Sequence, residues 1–248
     1  MTGQSAPSDH TLPASAAALG PNVVPDPVEE LLYVLTHDLR TGFRAILTIP
    51  DFIEEDLTPL PEPQQRMLAE HLEMLRIQAR RCDRMLLDLR DYSRIGRMAA
   101  PTEDHRLSDI ISRSLSTAPL PDGFTLSIRG TASLSGPGNE LAQLFGALFS
   151  NSVKHHDMTT GHIDITAIAK DQMVRIIVAD DGPGIPSRFR TAVFDMLRTL
   201  RPRDDCEGSG IGLTLARKIV CNLGGTIEVM DSQDARGAAI SLTLPGHV

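Results

Sequence analysis

The 248-residue chain predicts an α+β protein: a two-helix hairpin that dimerises as a four-helix bundle, then an α/β sandwich in which helices cover one face of a mixed sheet. Two apolar stripes predict the hairpin. Leu32, Leu35, Leu39, Ile46, Ile49 and Ile53 follow a three–four spacing, and so do Leu68, Leu72, Leu75, Ala79, Cys82, Leu86 and Leu89. Such spacing lays one apolar stripe along a helix. The pattern beyond Leu107 predicts the sandwich, because short alternating segments interleave there with amphipathic ones and hairpin connections dominate.

Residues 1–26 are rich in Ala, Pro and Ser, lack periodicity and read as a disordered lead or linker. Asp26-Pro27 opens the first helix, with Asp as cap and Pro at the first helical position. That helix is expected to reach about Leu57 and to kink at Pro50, which removes a backbone hydrogen bond. The break at Thr58–Pro63 leads into a second helix over about 63–97. A short connection between matching stripes makes an antiparallel hairpin. One hairpin leaves part of its stripe bare; a second copy covers it most cheaply, so a homodimer is expected, the alternative being that the stripe packs on this chain's own second half.

His37 falls off the first stripe and is expected to face solvent, with Asp38 beside it and Thr41 one turn on. A histidine next to a carboxylate can act as a nucleophile assisted by a base. On its own such a pair is far more often only a solvated surface pair.

Gly96–His105 reads as a linker. Helices are expected over Leu107–Thr117, from Asn139 or Glu140 through Val153, and over Thr214–Leu223, which stops at Gly224-Gly225. Strands are expected over Phe124–Ile128, Ile163–Ala169, Met173–Ala179, Thr226–Met230 and Ala238–Leu244, and Gly136-Pro137-Gly138 as a turn. These elements divide the chain into a lead over 1–26, a helical-hairpin domain over 27–98 and a second domain over 104–248.

Composition narrows the function. A net charge of −8, no tryptophan and 4% aromatic residues argue against a nucleic-acid partner. Three cysteines without metal-ligand spacing read as reduced thiols, and no apolar run is long enough to span a bilayer. A cytoplasmic protein is expected.

Three motifs between 140 and 213 share one chemistry. Asn151-Ser152-Val153-Lys154-His155 offers an amide oxygen for Mg²⁺ and a lysine for phosphate oxygens. Asp180-Asp181-Gly182-Pro183-Gly184 ends a strand in an acidic glycine turn, where a carboxylate can accept a hydrogen bond from an exocyclic amine. Gly208-Ser209-Gly210-Ile211-Gly212-Leu213 opens a helix, and backbone N–H groups at such a start bind phosphate. Neither the dinucleotide fingerprint nor a P-loop is present.

In this order and spacing the motifs resemble the ATP-binding domain of sensor histidine kinases, the GHKL or Bergerat-type fold. Asn151 matches the N-box, Asp180-x-Gly182-x-Gly184 the G1 box, Val193-Phe194-Asp195 the F-box and Gly208-x-Gly210-x-Gly212-Leu213 the G2 box. Gly237-Ala238 resembles the remaining glycine motif. Upstream, His37-Asp38-Leu39-Arg40-Thr41 resembles the H-box of the HisKA-type dimerisation and phosphotransfer domain, and Asp91–Ile95 resembles phytochrome-type kinases. Three positions depart from the pattern. Gly42 stands where the family has proline, and Ala147 stands for a second N-box asparagine. The arginine after the F-box falls on Thr199, between Arg198 and Arg201.

The resemblance implies an ATP-dependent histidine kinase of a two-component system. Asp180 reads adenine, Asn151 holds Mg²⁺, and Lys154 and His155 meet phosphates. Gly182, Gly184, Gly208, Ser209, Gly210, Ile211, Gly212 and Leu213 shape the loops, and about 186–207 form a lid. His37 attacks the γ-phosphate, Asp38 orients it, and Thr41 helps place water for dephosphorylation of the partner. That partner is a response regulator whose aspartate takes the phosphoryl group, with the signal supplied by a separate sensor. Two alternatives have different chemistry. One is a histidine phosphotransfer adaptor whose second domain no longer binds ATP, and the other is a serine kinase or ATPase on the same fold.

Overall fold

The structure is a computed structural model that describes residues 36, 39–40, 42–43, 46–55, 62–97, 100–198, 209–230 and 236–248. His37, Asp38, Thr41, the 1–26 lead, Gly208 and most of the expected lid after Arg198 lie outside the described residues.

Residues 46–55 are helical through Pro50. The second helix, α1, spans Glu62–Arg94. Arg40 Nε donates to Asp83 Oδ1 at 3.2 Å, while Arg76 donates to Asp51 at 2.7 Å and Glu54 at 2.6 Å. Partners that fall in number along α1 as they rise along the first helix make the pair antiparallel. Leu72, Ala79 and Leu86 of the α1 stripe are buried, but Leu75 remains exposed.

The remaining elements are β1 (Glu103–Arg106), α2 (Leu107–Thr117), β2 (Phe124–Arg129), β3 (Ser133–Gly136), α3 (Gly138–His155), β4 (Gly161–Lys170), β5 (Met173–Asp180), α4 (Gly212–Asn222), β6 (Thr226–Met230) and β7 (Ala239–His247). They form a seven-stranded sheet in the order β1-β3-β7-β5-β4-β2, with β6 also paired to β7. β2 and β4 are parallel, with Phe124 opposite Gly161, and α3 lies in the crossover between them. The other pairs are antiparallel. The core lies between the sheet and its helices: Leu141, Leu144, Phe145 and Leu148 of α3 and Ala216, Ile219 and Val220 of α4 meet Ile163, Ile165, Ile176 and Leu242.

Two connections carry their own explanation. Asp171 and Gln172 both have positive φ, 51° and 63°, as the type I′ turn of a two-residue β4–β5 hairpin requires. At the end of α4, Gly224 N–H donates to Cys221 O and Gly225 N–H to Val220 O, and Gly224 has φ +77°. That is a Schellman stop, and glycine is the residue that enters it without a Cβ penalty.

The expected linker over Gly96–His105 is corrected at both ends. Ile95 is 4% exposed and belongs to the sheet unit's core, and Gly96 N–H donates to Glu140 Oε1 at 3.1 Å. Lys218 Nζ donates to Tyr92 O at 2.9 Å and lies 4.3 Å over its ring. β1 then begins at Glu103 and pairs with β3. Both strands are four residues long, β1 is wholly polar and β3 carries a single large apolar residue, Leu134, so pairing within the sheet, not their own pattern, makes them strands. Truncating Ile95 to alanine removes a buried side chain that joins the hairpin to the sheet unit. The expected cost is about 2–5 kcal/mol, read as a lower melting temperature.

No helix among the described residues is long and apolar enough to cross a membrane.

Candidate nucleotide-binding site

A cavity of about 960 Å³ opens between α3, the turn after β5 and the start of α4. Its first wall is one face of α3. Asn151, Lys154 and His155 stand at i, i+3 and i+4 and share that face with Gln143 and Ala147. Leu141, Leu144, Phe145 and Leu148 cover the opposite, buried face. The amphipathic period therefore sorts core from site along a single helix.

The second wall is the turn after β5. Asp180 Oδ1 accepts from Gly182 N–H and Ala238 N–H, each at 3.1 Å, and Asp180 N–H donates to Ala238 O at 2.9 Å. Oδ2 has no hydrogen-bond partner among the described residues, and Asp180 lines the cavity. Gly184 has φ +82° and packs on Gly237, so a Cβ there would sit 2.8 Å from Gly237 O. Gly182 is not on the cavity wall; its role is the N–H it gives to Asp180.

The third wall is Ser209, Gly210, Ile211, Gly212 and Leu213, leading into α4. Gly210 has φ +71° and lies against the backbone of Leu197 and Arg198, with its carbonyl accepting from Leu197 N–H at 3.1 Å. Thr214 Oγ1 donates to Phe194 O at 3.0 Å, which ties the buried F-box phenylalanine to the same helix. Arg198 reaches the cavity and pairs with Asp195 at 3.3 Å. Thr199 and Arg201, its neighbours in the open assignment, lie outside the described residues.

Sequence reading missed a contribution from the hairpin. Asp88 and Asp91 of α1 line the cavity, and Ser209 Oγ donates to Asp88 Oδ2 at 2.5 Å. Burial pushes the Asp88 carboxyl up, opposed by the Ser209 hydrogen bond and the Lys154 charge. The pair is 121 positions apart, and no local signal announces it.

The donor set can be tested against a divalent cation. The Asn151 side chain lines the cavity without a hydrogen-bond partner among the described residues, and no cage of His, Cys, Asp or Glu forms among them. One neutral oxygen beside a lysine fits Mg²⁺, which takes most of its ligands from phosphates and water.

Residues 136–248 match the model of histidine kinase-, DNA gyrase B-, and HSP90-like ATPases. The match covers a little under half of the chain, from β3 to its last residue. Over a longer span, the chain is 27% identical over 223 residues to the methanogenesis regulatory histidine kinase FilI of Methanothrix harundinacea, covering 88% of this chain and 24% of that protein. It is 27% identical over 224 residues to cyanobacterial phytochrome B of Nostoc, covering 88% and 29%. The chain thus spans less than a third of the length of these two relatives. The crystal structure of full-length ShkA in complex with AMPPNP superposes with a TM-score of 0.65 at 22% identity, covering 91% of this chain and 47% of that one. That likeness is one of fold, and it extends over the helical hairpin as well as the ATPase-family domain.

Proposed function

We propose that the chain is the transmitter core of a histidine kinase in a two-component system. The observation that carries the reading is the cavity itself. An adenine-reading carboxylate, a metal-binding amide, a phosphate-facing lysine and a glycine-opened helix share one space of nucleotide size. An adaptor that had lost ATP binding has no use for that combination, and the cavity weighs against it. Relatives named as histidine kinases cover both the ATPase-family domain and most of the hairpin.

In this reading Asp180 Oδ2 accepts from the adenine amine, and Lys154 and His155 hold phosphate oxygens. Mg²⁺, when held by Asn151, neutralises charge on the phosphates. Phosphoryl transfer needs little more than positioning and charge neutralisation. His37 attacks the γ-phosphorus with one ring nitrogen, the bond to the β–γ bridging oxygen breaks, ADP leaves, and Asp38 takes the proton from the other nitrogen. An aspartate of a response regulator then accepts the phosphoryl group, and Thr41 helps place water for its removal. The 27–98 unit carries the histidine and the 104–248 unit the nucleotide. Exposed Leu39, Ile49, Phe52, Met74 and Ile77 on the hairpin favour a homodimer. The signal comes from a sensor outside these residues, and the work is cytoplasmic, where ATP and the regulator are.

The test is ATP binding by the whole chain with and without Mg²⁺. Wild type is expected to bind more tightly with the metal. Asn151→Ala is expected to lose at least about tenfold of that metal-dependent gain. Equal affinity with and without Mg²⁺ in wild type would remove the assignment of Asn151.

A further inference from the structure

His156 closes α3 and does not reach the cavity, yet it touches the elements that form two of its walls. Its side chain is 2% exposed. The ring packs edge-on against Phe124, with centroids 5.3 Å apart. Gly161 and Gly182 leave it room: a Cβ at Gly161 would stand 3.0 Å from Nε2, and one at Gly182 3.2 Å from Cδ2. Nδ1 lies 3.1 Å from Met158 N and 3.3 Å from Met158 O, and because an ionised carboxylate can only accept, Nε2 is the donor toward Asp181. Nε2 faces Asp181 Oδ1 at 3.0 Å, and His162 N–H donates to the same oxygen at 2.8 Å. Burial opposes the Asp181 charge, but the hydrogen bonds from His162 and His156, joined by one from its own backbone, together hold the carboxyl below its usual range. Arg236 completes the assembly by donating to Asp157 Oδ1 at 2.7 Å and to Asp181 O at 3.3 Å.

We propose that His156 is a positioning residue for adenine recognition, its Nε2–H fixing the Asp180–Gly184 turn to the end of α3 through Asp181. Asp180 is the neighbour of Asp181, so the bond sets where the adenine-reading carboxylate stands relative to Asn151 and Lys154. Arg236 draws the Gly237 segment, whose Ala238 N–H also holds Asp180, into the same unit. His156 acts through Asp181 and not on the ligand. The inference rests on the nucleotide reading of the cavity.

The experiment compares ATP and GTP affinity of the whole chain in wild type, His156→Gln and His156→Leu. Glutamine keeps an N–H donor at the reach of Nε2, whereas leucine fills the space beside Phe124 without one. His156→Leu is expected to bind ATP at least about tenfold more weakly and to lose much of the preference for ATP over GTP, with His156→Gln within about threefold of wild type. ATP affinity in His156→Leu equal to wild type would overturn the proposal, and so would an equal loss in both variants. Should His156→Leu fail to fold, Asp181→Ala breaks the same bond from its more exposed side and is expected to show the same loss; wild-type affinity there overturns it. A wild-type chain that binds no ATP overturns the nucleotide reading itself, which separates the two failures.

Discussion

Gly237→Ala is expected to abolish ATP binding and to lower the melting temperature by about 8–24 °C. The backbone there has φ +99°, and a Cβ would sit 2.0 Å from Asp180 O. That atom is main chain and cannot swing away. Moving the segment breaks the bond from Gly237 N–H to Gly182 O, at 2.8 Å, together with both Ala238 bonds to Asp180. Each such bond is worth about 1 kcal/mol, and the left-handed conformation adds about 1–3 kcal/mol for a residue with a side chain. The total, about 4–6 kcal/mol, falls on the turn that carries Asp180. Gly212→Ala is the contrast, because nothing lies within 4 Å of a Cβ there and α4 begins at that residue. It is expected to melt no lower than wild type. Thermal unfolding and ATP titration read both variants, and a Gly237→Ala chain that melts and binds like wild type contradicts the crowding at that position.

Asp180→Asn is expected to weaken ATP binding roughly tenfold to hundredfold, the equivalent of about 1.5–3 kcal/mol for a hydrogen bond to a charged group. The amide oxygen of asparagine can replace Oδ1 and keep the bonds from Gly182 and Ala238. Those two donors fix its orientation and leave the NH₂ where Oδ2 was. That group donates, and so does the exocyclic amine of adenine, so the pair fails while the fold survives. GTP, which presents a carbonyl oxygen at the corresponding ring position, is expected to lose less affinity than ATP. Calorimetric titration with both nucleotides checks the pattern, and an unchanged ATP affinity would mean that Asp180 does not read the base.

The long amphipathic elements and the glycine turns could be read from the chain because their signals are local. Seven apolar positions from Leu68 to Leu89 repeat the same spacing, and α2 matches its expected Leu107–Thr117 span. The β4–β5 hairpin was readable from alternation, but its type I′ turn was not, because Asp171-Gln172 lacks the glycine that usually announces one. β1 was unreadable for a different reason. Glu103-Asp104-His105-Arg106 is wholly polar, and only the partner β3 makes it a strand. The site divides the same way. Asn151, Asp180 and the glycines stand in recognisable runs. Asp88 meets Ser209 across 121 positions, and His156 is held through a carboxylate beyond the end of another strand. No short window of sequence holds both partners of either contact.

The most direct test of the central claim is to incubate the whole chain with γ-labelled ATP and Mg²⁺, beside His37→Gln. Wild type is expected to take up label that is labile in acid and stable in base, and His37→Gln is expected to take up none. Label retained in His37→Gln, or stable in acid, would contradict histidine phosphorylation at that position and point to another acceptor. Wild type that stays unlabelled by ATP, yet gains label from a phosphorylated response regulator, would contradict the kinase reading in favour of an adaptor.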